Sequence, residues 1–267
     1  STSSQTYAKP NTTTPYILEA TNTTTGCKNT DTVLVTVVNS TLIANAGTDQ
    51  RACKNATSLM IGGSPSASSG TSPYSYQWSP TINLSSSTIS NPSINTSTVN
   101  ITNYILTVTD SKGCQAYDTM KVTIDSLPRA NAGRDTAICL NRTTQIGETP
   151  TTGYSYSWTP TTNLSNGSIS NPIYTGNSAG TTNYILLVTD NTTSCIQRDT
   201  VSITTNALPT VSAGSDQTRV NCIGDSVQIG SSPTSGLTYA WTPTTNITSS
   251  TSSQTYAKPN TTTPYIL

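Results

Sequence analysis

Histidine and phenylalanine are both absent from the 267 residues, and only 9% of the chain is charged. Each shortage closes off a class of function. Without His a Ser or Cys triad has no base, and no Ser or Cys stands in a nucleophile-elbow context such as G-x-S-x-G. Twelve Lys and Arg balance twelve Asp and Glu, so no basic field exists to hold phosphates or an anionic membrane, and nucleic acid is not an expected partner. The longest apolar runs, such as 33–38, are strand-length and interrupted by Thr, far short of the roughly 20 residues of a membrane helix. No span is expected. No signal peptide precedes Ser1, but this carries little weight, because the chain reads as a window on a longer array.

What is present is Thr, Ser and Asn in quantity, with Val, Ile and Tyr among them. These β-branched and aromatic residues suit a pleated, half-buried surface, whereas Ala, Leu, Glu and Lys never cluster at helical spacing. The expected class is all-β. A disordered chain would carry more charge and fewer β-branched residues.

Residues 1–18 read STSSQTYAKPNTTTPYIL, and residues 250–267 repeat them without a change. The repeating unit is therefore 249 residues long. Inside it lies an older threefold repeat, marked by NAGTDQRAC from Asn45, NAGRDTAIC from Asn131 and SAGSDQTRVNC from Ser212. These starts lie 86 and 81 residues apart. The expected domains are 1–44, the end of a third-type repeat; 45–130 and 131–211, two complete repeats; and 212–267, the beginning of the third type. Short linkers such as DSLPRA and NALPTVS leave neighbours little freedom.

Each repeat carries one aromatic strand, YSYQW, YSYSW or LTYAW. Tyr76, Tyr156 and Tyr239 stand two residues before Trp78, Trp158 and Trp241, which puts both rings of a pair on one strand face. One Trp per repeat implies one core per repeat. The segments TNYIL, TNYIL and TPYIL then open a late strand with Tyr104, Tyr184 and Tyr265, read as core residues and as candidates for a tyrosine corner. VTDSKGC and VTDNTTSC mark the hairpin turn that follows. About seven short strands in each repeat of this length describe a β-sandwich.

Carboxylates flank that turn as pairs, Asp110 with Asp118 and Asp190 with Asp199, a pattern that could serve sugar chemistry. Their recurrence in successive repeats favours a structural role. No cofactor is expected, and calcium lacks the D-x-D-x-D-G loop that would support it. Gly47, Gly133 and Gly214 supply a tight turn and not a phosphate loop, since no helix follows them.

Taken together, A-N-A-G-x-D near each start, Y-S-x-W-x-P in the middle and T-x-Y-x-L-x-V-T-D with a following Cys resemble the PKD-like and immunoglobulin-like tandem domains of giant cell-surface proteins in Bacteroidota, including gliding-motility and other surface adhesins. The resemblance covers the whole chain and implies head-to-tail immunoglobulin-like β-sandwiches, exported to the extracellular cell surface. Two extra residues before Cys222 depart from the pattern and put one turn in doubt.

Six Cys fall two per repeat, Cys53, Cys139 and Cys222 early and Cys27, Cys114 and Cys195 late. With no His nearby they read as disulfide partners and not as zinc ligands. Disulfides persist in oxidising compartments, which agrees with an extracellular site. Pairing within a repeat would join Cys53 to Cys114 and Cys139 to Cys195. In an immunoglobulin-like sandwich, however, the first and last turns lie at opposite ends, and Cα atoms must come within about 4.4 to 6.8 Å. Pairing from one repeat to the next, Cys53 with Cys195, is the other scheme, and it would send Cys139 to Cys27 of a following copy. Both remain open at this level.

Asp followed by Thr or Ser and an apolar residue occurs at Thr32, Thr119, Ser126, Thr136, Thr200 and Ser226, and resembles the O-glycosylation acceptor motif of Bacteroidota. N-x-S/T sequons also recur, but a Thr- and Asn-rich chain makes them by chance. The expected function is a structural repeat of an extracellular fibre or adhesin stalk, giving length, stiffness and surface attachment, with no enzymatic activity. Its expected partners are neighbouring copies of the same repeat, chains bundled into a filament and covalently attached glycans. A carbohydrate- or surface-binding module, or a spacer of a larger secreted enzyme, is the alternative.

Overall fold

The computed structural model describes residues 5–57, 59–218 and 225–267. Every regular element among them is a strand. The chain divides into two compact units, residues 1–128 with 190–196, and residues 129–189 with 197–267.

The first unit opens with a hairpin, β1 (Thr14–Thr21) and β2 (Lys28–Val35). A sandwich follows, built from β3 (Ile43–Ala44), β4 (Gln50–Cys53), β5 (Leu59–Met60), β6 (Ala67–Ser68), β7 (Ser75–Ser79), β8 (Ser93–Ile94), β9 (Asn100–Thr109) and β10 (Gln115–Asp125). One sheet runs in the order β4-β10-β9-β7, and the short pairs β3-β6 and β5-β8 form the facing layer. The first strand of that sheet lies parallel to the last, with Gln50 opposite Val122 and Cys53 opposite Asp125. The sandwich takes in residues slightly ahead of its Asn45 motif, since Ile43 pairs with Ser68 and Leu42 joins the core.

Period-2 alternation explains which side chains are inside. In β9 the alternate residues Tyr104, Leu106 and Val108 are buried, and in β10 so are Met120, Val122 and Ile124. Trp78 of β7 joins this core with none of its surface exposed, and the half-buried Tyr74 and Tyr76 pack against it.

The second unit repeats this plan. Its strands are β11 (Thr136–Cys139), β12 (Thr143–Gln145), β13 (Tyr154–Thr159), β14 (Ile173–Thr175), β15 (Gly180–Asp190) and β16 (Ile196–Asn206), in a sheet β11-β16-β15-β13 with β12-β14 facing it. Trp158, Tyr184, Leu186, Val188, Val201 and Ile203 fill its core. Beyond it, β17 (Val227–Gly230) pairs antiparallel with β18 (Gln254–Ala257). Trp241 is buried there as well, although its own segment pairs only through Thr242 with Ile266.

Each Trp is placed by the same local device. The Trp78, Trp158 and Trp241 indole N–H groups donate to the carbonyls of Ile89, Ile169 and Ser252 at 3.0, 2.9 and 2.9 Å. A cis X-Pro bond follows one residue later in all three, at Pro80, Pro160 and Pro243.

Candidate functional site at Cys53 and Cys195

Cys53 is bonded to Cys195, with Cα atoms 5.6 Å apart and 142 residues between them in sequence. One partner belongs to the repeat 45–130 and the other to the repeat 131–211, and the turn Asp190–Ile196 groups with the first compact unit. Pairing within a repeat, Cys53 with Cys114 and Cys139 with Cys195, does not form. The reason is strand length. Cys53 is level with Asp125 at the end of β10, whereas Cys114 precedes its first residue, Gln115. Eleven strand residues at about 3.3 Å each hold the two sulfurs on the order of 35 Å apart.

Both halves of the cross-link sit in tightly specified turns. After β4 the Lys54 N–H donates to the Asp125 carbonyl (2.8 Å) and the Asn55 N–H to the Thr96 carbonyl (3.0 Å), with Asn55 at φ +63°. Asn tolerates that left-handed conformation better than most residues. On the other side the Asp190 carboxylate accepts from the N–H groups of Thr192 and Thr193 at 2.8 and 3.2 Å, while the Asp190 and Ser194 N–H groups close the turn onto the Cys195 and Asp190 carbonyls. Cys195 is fully buried.

Charge surrounds the bond. Arg51, two residues before Cys53, forks onto Asp125 with N···O distances of 2.5 and 2.9 Å. That hydrogen bond, more than any other contact, raises the guanidinium pKa, and Asp190 adds to it. The Thr192 N–H, joined by Thr193 and the Arg51 charge, holds the Asp190 carboxyl below the usual carboxylate range against the opposing effect of burial.

The remaining cysteines are separate. Cys27 and Cys139 are exposed, Cys114 is half-buried, and all three are free thiols. Cys222 lies outside the described residues.

The paired carboxylates have backbone duties. Asp110 accepts from the N–H groups of Thr71, Lys112 and Cys114. Burial works to raise its pKa, but these donors and the Lys112 charge bring it below the ordinary value. Asp118 and Asp199 accept from the Ala46 and Ala132 N–H groups at 2.8 Å, tying the NAG turn to the late strand. Among the described residues no cluster of three potential metal ligands occurs.

Trp78, Trp158 and Trp241 are buried, as are Tyr104 and Tyr184, but Tyr265 is only half-buried. Tyr265 lies at the far end of the Trp241 segment, where one pairing, Thr242 with Ile266, is all that holds it. Nor are these tyrosines local corners. Their hydroxyls donate to the carbonyls of Ile82, Thr162 and Thr245 at 2.7, 2.6 and 3.0 Å, about twenty residues back in sequence, anchoring the loop that follows each Trp. Burial raises the Tyr104 pKa against a lowering by Thr102, and burial with the nearby Tyr174 pushes Tyr184 up to about 12.

Of the hydroxyls in the Asp-Thr/Ser motif, Thr32, Thr119, Ser126, Thr200 and Ser226 are exposed and Thr136 is half-buried. Asp31 and Asp118 each accept from the following N–H, Thr32 and Thr119, at 2.8 Å. At these two sites the Asp of the motif thus has structural work independent of any modification.

A second set of glycines escaped the sequence reading. A Cβ on Gly62, Gly147 or Gly230, all at positive φ, would stand 2.4, 2.0 or 2.0 Å from the carbonyl oxygen of Ser90, Ser170 or Ser253. The recurring Ile-Gly pair was the available signal. Gly47 and Gly62 border a cleft of about 370 Å³ with Asn45, Met60 and Met120, and no aromatic ring lines it.

These features define a class: tandem all-β immunoglobulin-like sandwich repeats with a disulfide from one repeat to another. No known family model and no curated protein sequence matches the chain. Among solved structures it is similar to a three-domain fragment of titin, I67-I69, at 10% identity and a TM-score of 0.41, covering 80% of this chain and 86% of that one. It is also similar to the PKD domain of the KIAA 1837 protein (24% identity, TM-score 0.28, 31% and 85% covered). A third likeness is to BT4661, a SusE-like surface-located polysaccharide-binding protein of Bacteroides thetaiotaomicron (13%, TM-score 0.34, 72% and 43% covered). These superpositions are loose, and the class follows from the sheet order and the buried tryptophans described above.

Proposed function

We propose that the chain is a stretch of an extracellular structural fibre or adhesin stalk on a cell surface, whose repeats supply length and stiffness head to tail and catalyse nothing. The observation that carries this reading is the Cys53–Cys195 bond, which joins one repeat to another instead of closing a single sandwich. Closing a loop of that size has a chain-entropy effect of about 5 kcal/mol, more than a short intradomain bridge gives. The burial of all three Trp removes the rings best suited to stack on sugars, so the binding-module alternative has less support.

In the same reading Thr32, Thr119, Ser126, Thr136, Thr200 and Ser226 are O-glycan acceptors. Sugars there would hydrate a surface poor in charge and shield strand edges from pairing with other chains.

Single-molecule extension of the chain tests the main reading. With the bond intact, the 142-residue separation is locked, and full extension falls short of the reduced chain by roughly 500 Å. Equal contour lengths with and without reductant would sink the stapled-array reading. Intact-mass analysis of natively expressed material tests the glycans, and bare hydroxyls would remove them.

A further inference from the structure

Several asparagines close an Asx turn, the side-chain Oδ1 accepting from the N–H two residues on. Among the described residues these are Asn22 with Thr24, Asn45 with Gly47 and Asn95 with Ser97, each at 2.9 Å, Asn131 with Gly133 at 3.1 Å and Asn166 with Ser168 at 2.8 Å. Such a turn folds the carboxamide over the main chain and brings its Cγ against the backbone nitrogen of the next residue. The identity of that next residue decides what can follow.

Asn45 and Asn131 precede Ala46 and Ala132, whose N–H groups are already given to Asp118 and Asp199 at 2.8 Å. Asn22 and Asn95 precede Thr23 and Thr96, whose β-branched side chains crowd the nitrogen, and Thr96 is buried besides. Asn166 precedes Gly167, the one Asn-Gly pair in the sequence. No Cβ stands beside that nitrogen, the backbone is free to pivot there, and among the described residues nothing accepts from its N–H. Asn166 itself is exposed to water. The neighbouring repeats carry serine at this place: Gly167, Ser87 and Ser250 all accept from the N–H of their Trp, and Ser86 and Ser249 precede the latter two. The Ser86 and Ser249 hydroxyls accept from Thr88 and Thr251 at 3.2 and 3.4 Å, so the turn is kept without a carboxamide.

We propose that Asn166 is a self-modifying site, where the folded chain loses ammonia and takes up water to become an aspartyl or isoaspartyl residue. The Gly167 nitrogen gives its proton to hydroxide and bonds to the Asn166 Cγ, and the side-chain nitrogen leaves as ammonia. Water then opens the resulting imide ring, at Cγ to give aspartate or at the main-chain carbonyl to give isoaspartate. The Ser168 N–H already sits on Oδ1, the oxygen that gathers negative charge as the nitrogen adds, and stabilises it there. The only reactants besides the chain are water and hydroxide, and the proposal stands apart from the fibre reading above.

The product enters the loop that holds Trp158. The Gly167 carbonyl accepts from the Trp158 N–H at 2.8 Å and the Ile169 carbonyl from its indole at 2.9 Å. On the other side the Ser165 N–H donates to the Ile173 carbonyl at 2.8 Å, and its hydroxyl accepts from the Ile173 N–H at 3.0 Å. Isoaspartate routes the main chain through the former side chain and so lengthens it by a carbon between these two fixed points. The loop absorbs the added length by giving up the Gly167 contact, and the Trp158 N–H loses its acceptor. A long-lived chain accumulates this change in the second sandwich and not at the serine turns of the repeats on either side.

The test is to hold the purified, folded chain in mildly alkaline buffer, sample it over time, and map its peptides by mass and chromatography. The peptide containing Asn166 should give way to two heavier products, while Asn22, Asn45, Asn95 and Asn131 stay intact, and the conversion should quicken as pH rises because the Gly167 nitrogen must give up its proton. Asn166→Ser, which installs the side chain found in the neighbouring repeats, should abolish the conversion and leave the circular dichroism spectrum unchanged. Hydrogen exchange on the converted chain should show the Trp158 N–H losing its protection. A folded chain that keeps Asn166 after a guanidinium-unfolded sample has converted would mean that the fold shields the pair, and overturns the proposal. Conversion that begins at any of the other four turns overturns it too, and a converted chain with Trp158 as protected as before removes the structural consequence.

Discussion

Residues 5–8 and 254–257 are the same four letters, Gln-Thr-Tyr-Ala, in two environments. At 254–257 they are strand β18, paired with β17, with Thr255 3% and Ala257 1% exposed. At 5–8 they are irregular and exposed, and Tyr7 is as open as in an extended chain. Propensity cannot distinguish identical letters. The strand exists where β17 offers a ladder, so β structure in this segment is a property of the partner.

Removing that partner should erase the difference. Trp241→Ala deletes a buried indole whose N–H donates to the Ser252 carbonyl, two residues before β18, and should cost the β17-β18 region about 4 kcal/mol. Hydrogen exchange at 254–257 should rise to the rate of 5–8, while 5–8 itself does not change. Gly230→Ala attacks the same element through the backbone, since its Cβ would stand 2.0 Å from the Ser253 carbonyl oxygen at φ +92°. A loss of roughly 3 kcal/mol is expected, read as a lower denaturant midpoint for the second unit.

A smaller effect separates the second sandwich from the β1-β2 hairpin by pH. Tyr184 titrates from an ordinary value of 10.0 up to about 12 because burial disfavours its anion. A raised folded-state pKa means that its contribution is fully present below pH 10 and is lost as pH rises through 12. Alkaline unfolding of the second sandwich should fall in that window, and Tyr184→Phe should flatten it. The smallest effect belongs to the hairpin: Lys28→Ala breaks a 2.7 Å pair with Glu19 whose members are 60 and 50% exposed, so the melting curve should move by less than about 0.5 kcal/mol.

The sequence was informative where one strand face decides the outcome. Tyr76 and Trp78 share a face because they are two residues apart, and the buried alternation of β9 and β10 follows from the same period. It was less informative wherever the answer depends on how far a strand runs. Cys53 reaches Cys195 because eleven residues of β10 carry Cys114 away from it; the opposite ends of the sandwich offered this pairing in the sequence beside the one within a repeat, and the length of β10 decides between them. The tyrosine hydroxyls bond about twenty residues back for a similar reason, across a loop whose path is fixed by the tertiary fold. Gly62, Gly147 and Gly230 were legible as Ile-Gly pairs, but the carbonyl that excludes a side chain from each comes from a distant segment.

The parallel pairing of β4 with β10, and of β11 with β16, has a mechanical consequence. In each sandwich an early strand and the last strand are neighbours that run the same way. A pull directed outward at the two ends of such a sandwich slides these strands along their length, so the ladder bonds are loaded together in shear instead of opening one by one like a zip. Arg51, clasping Asp125 across that seam, adds a side-chain rung to the four residue pairs that resist the sliding.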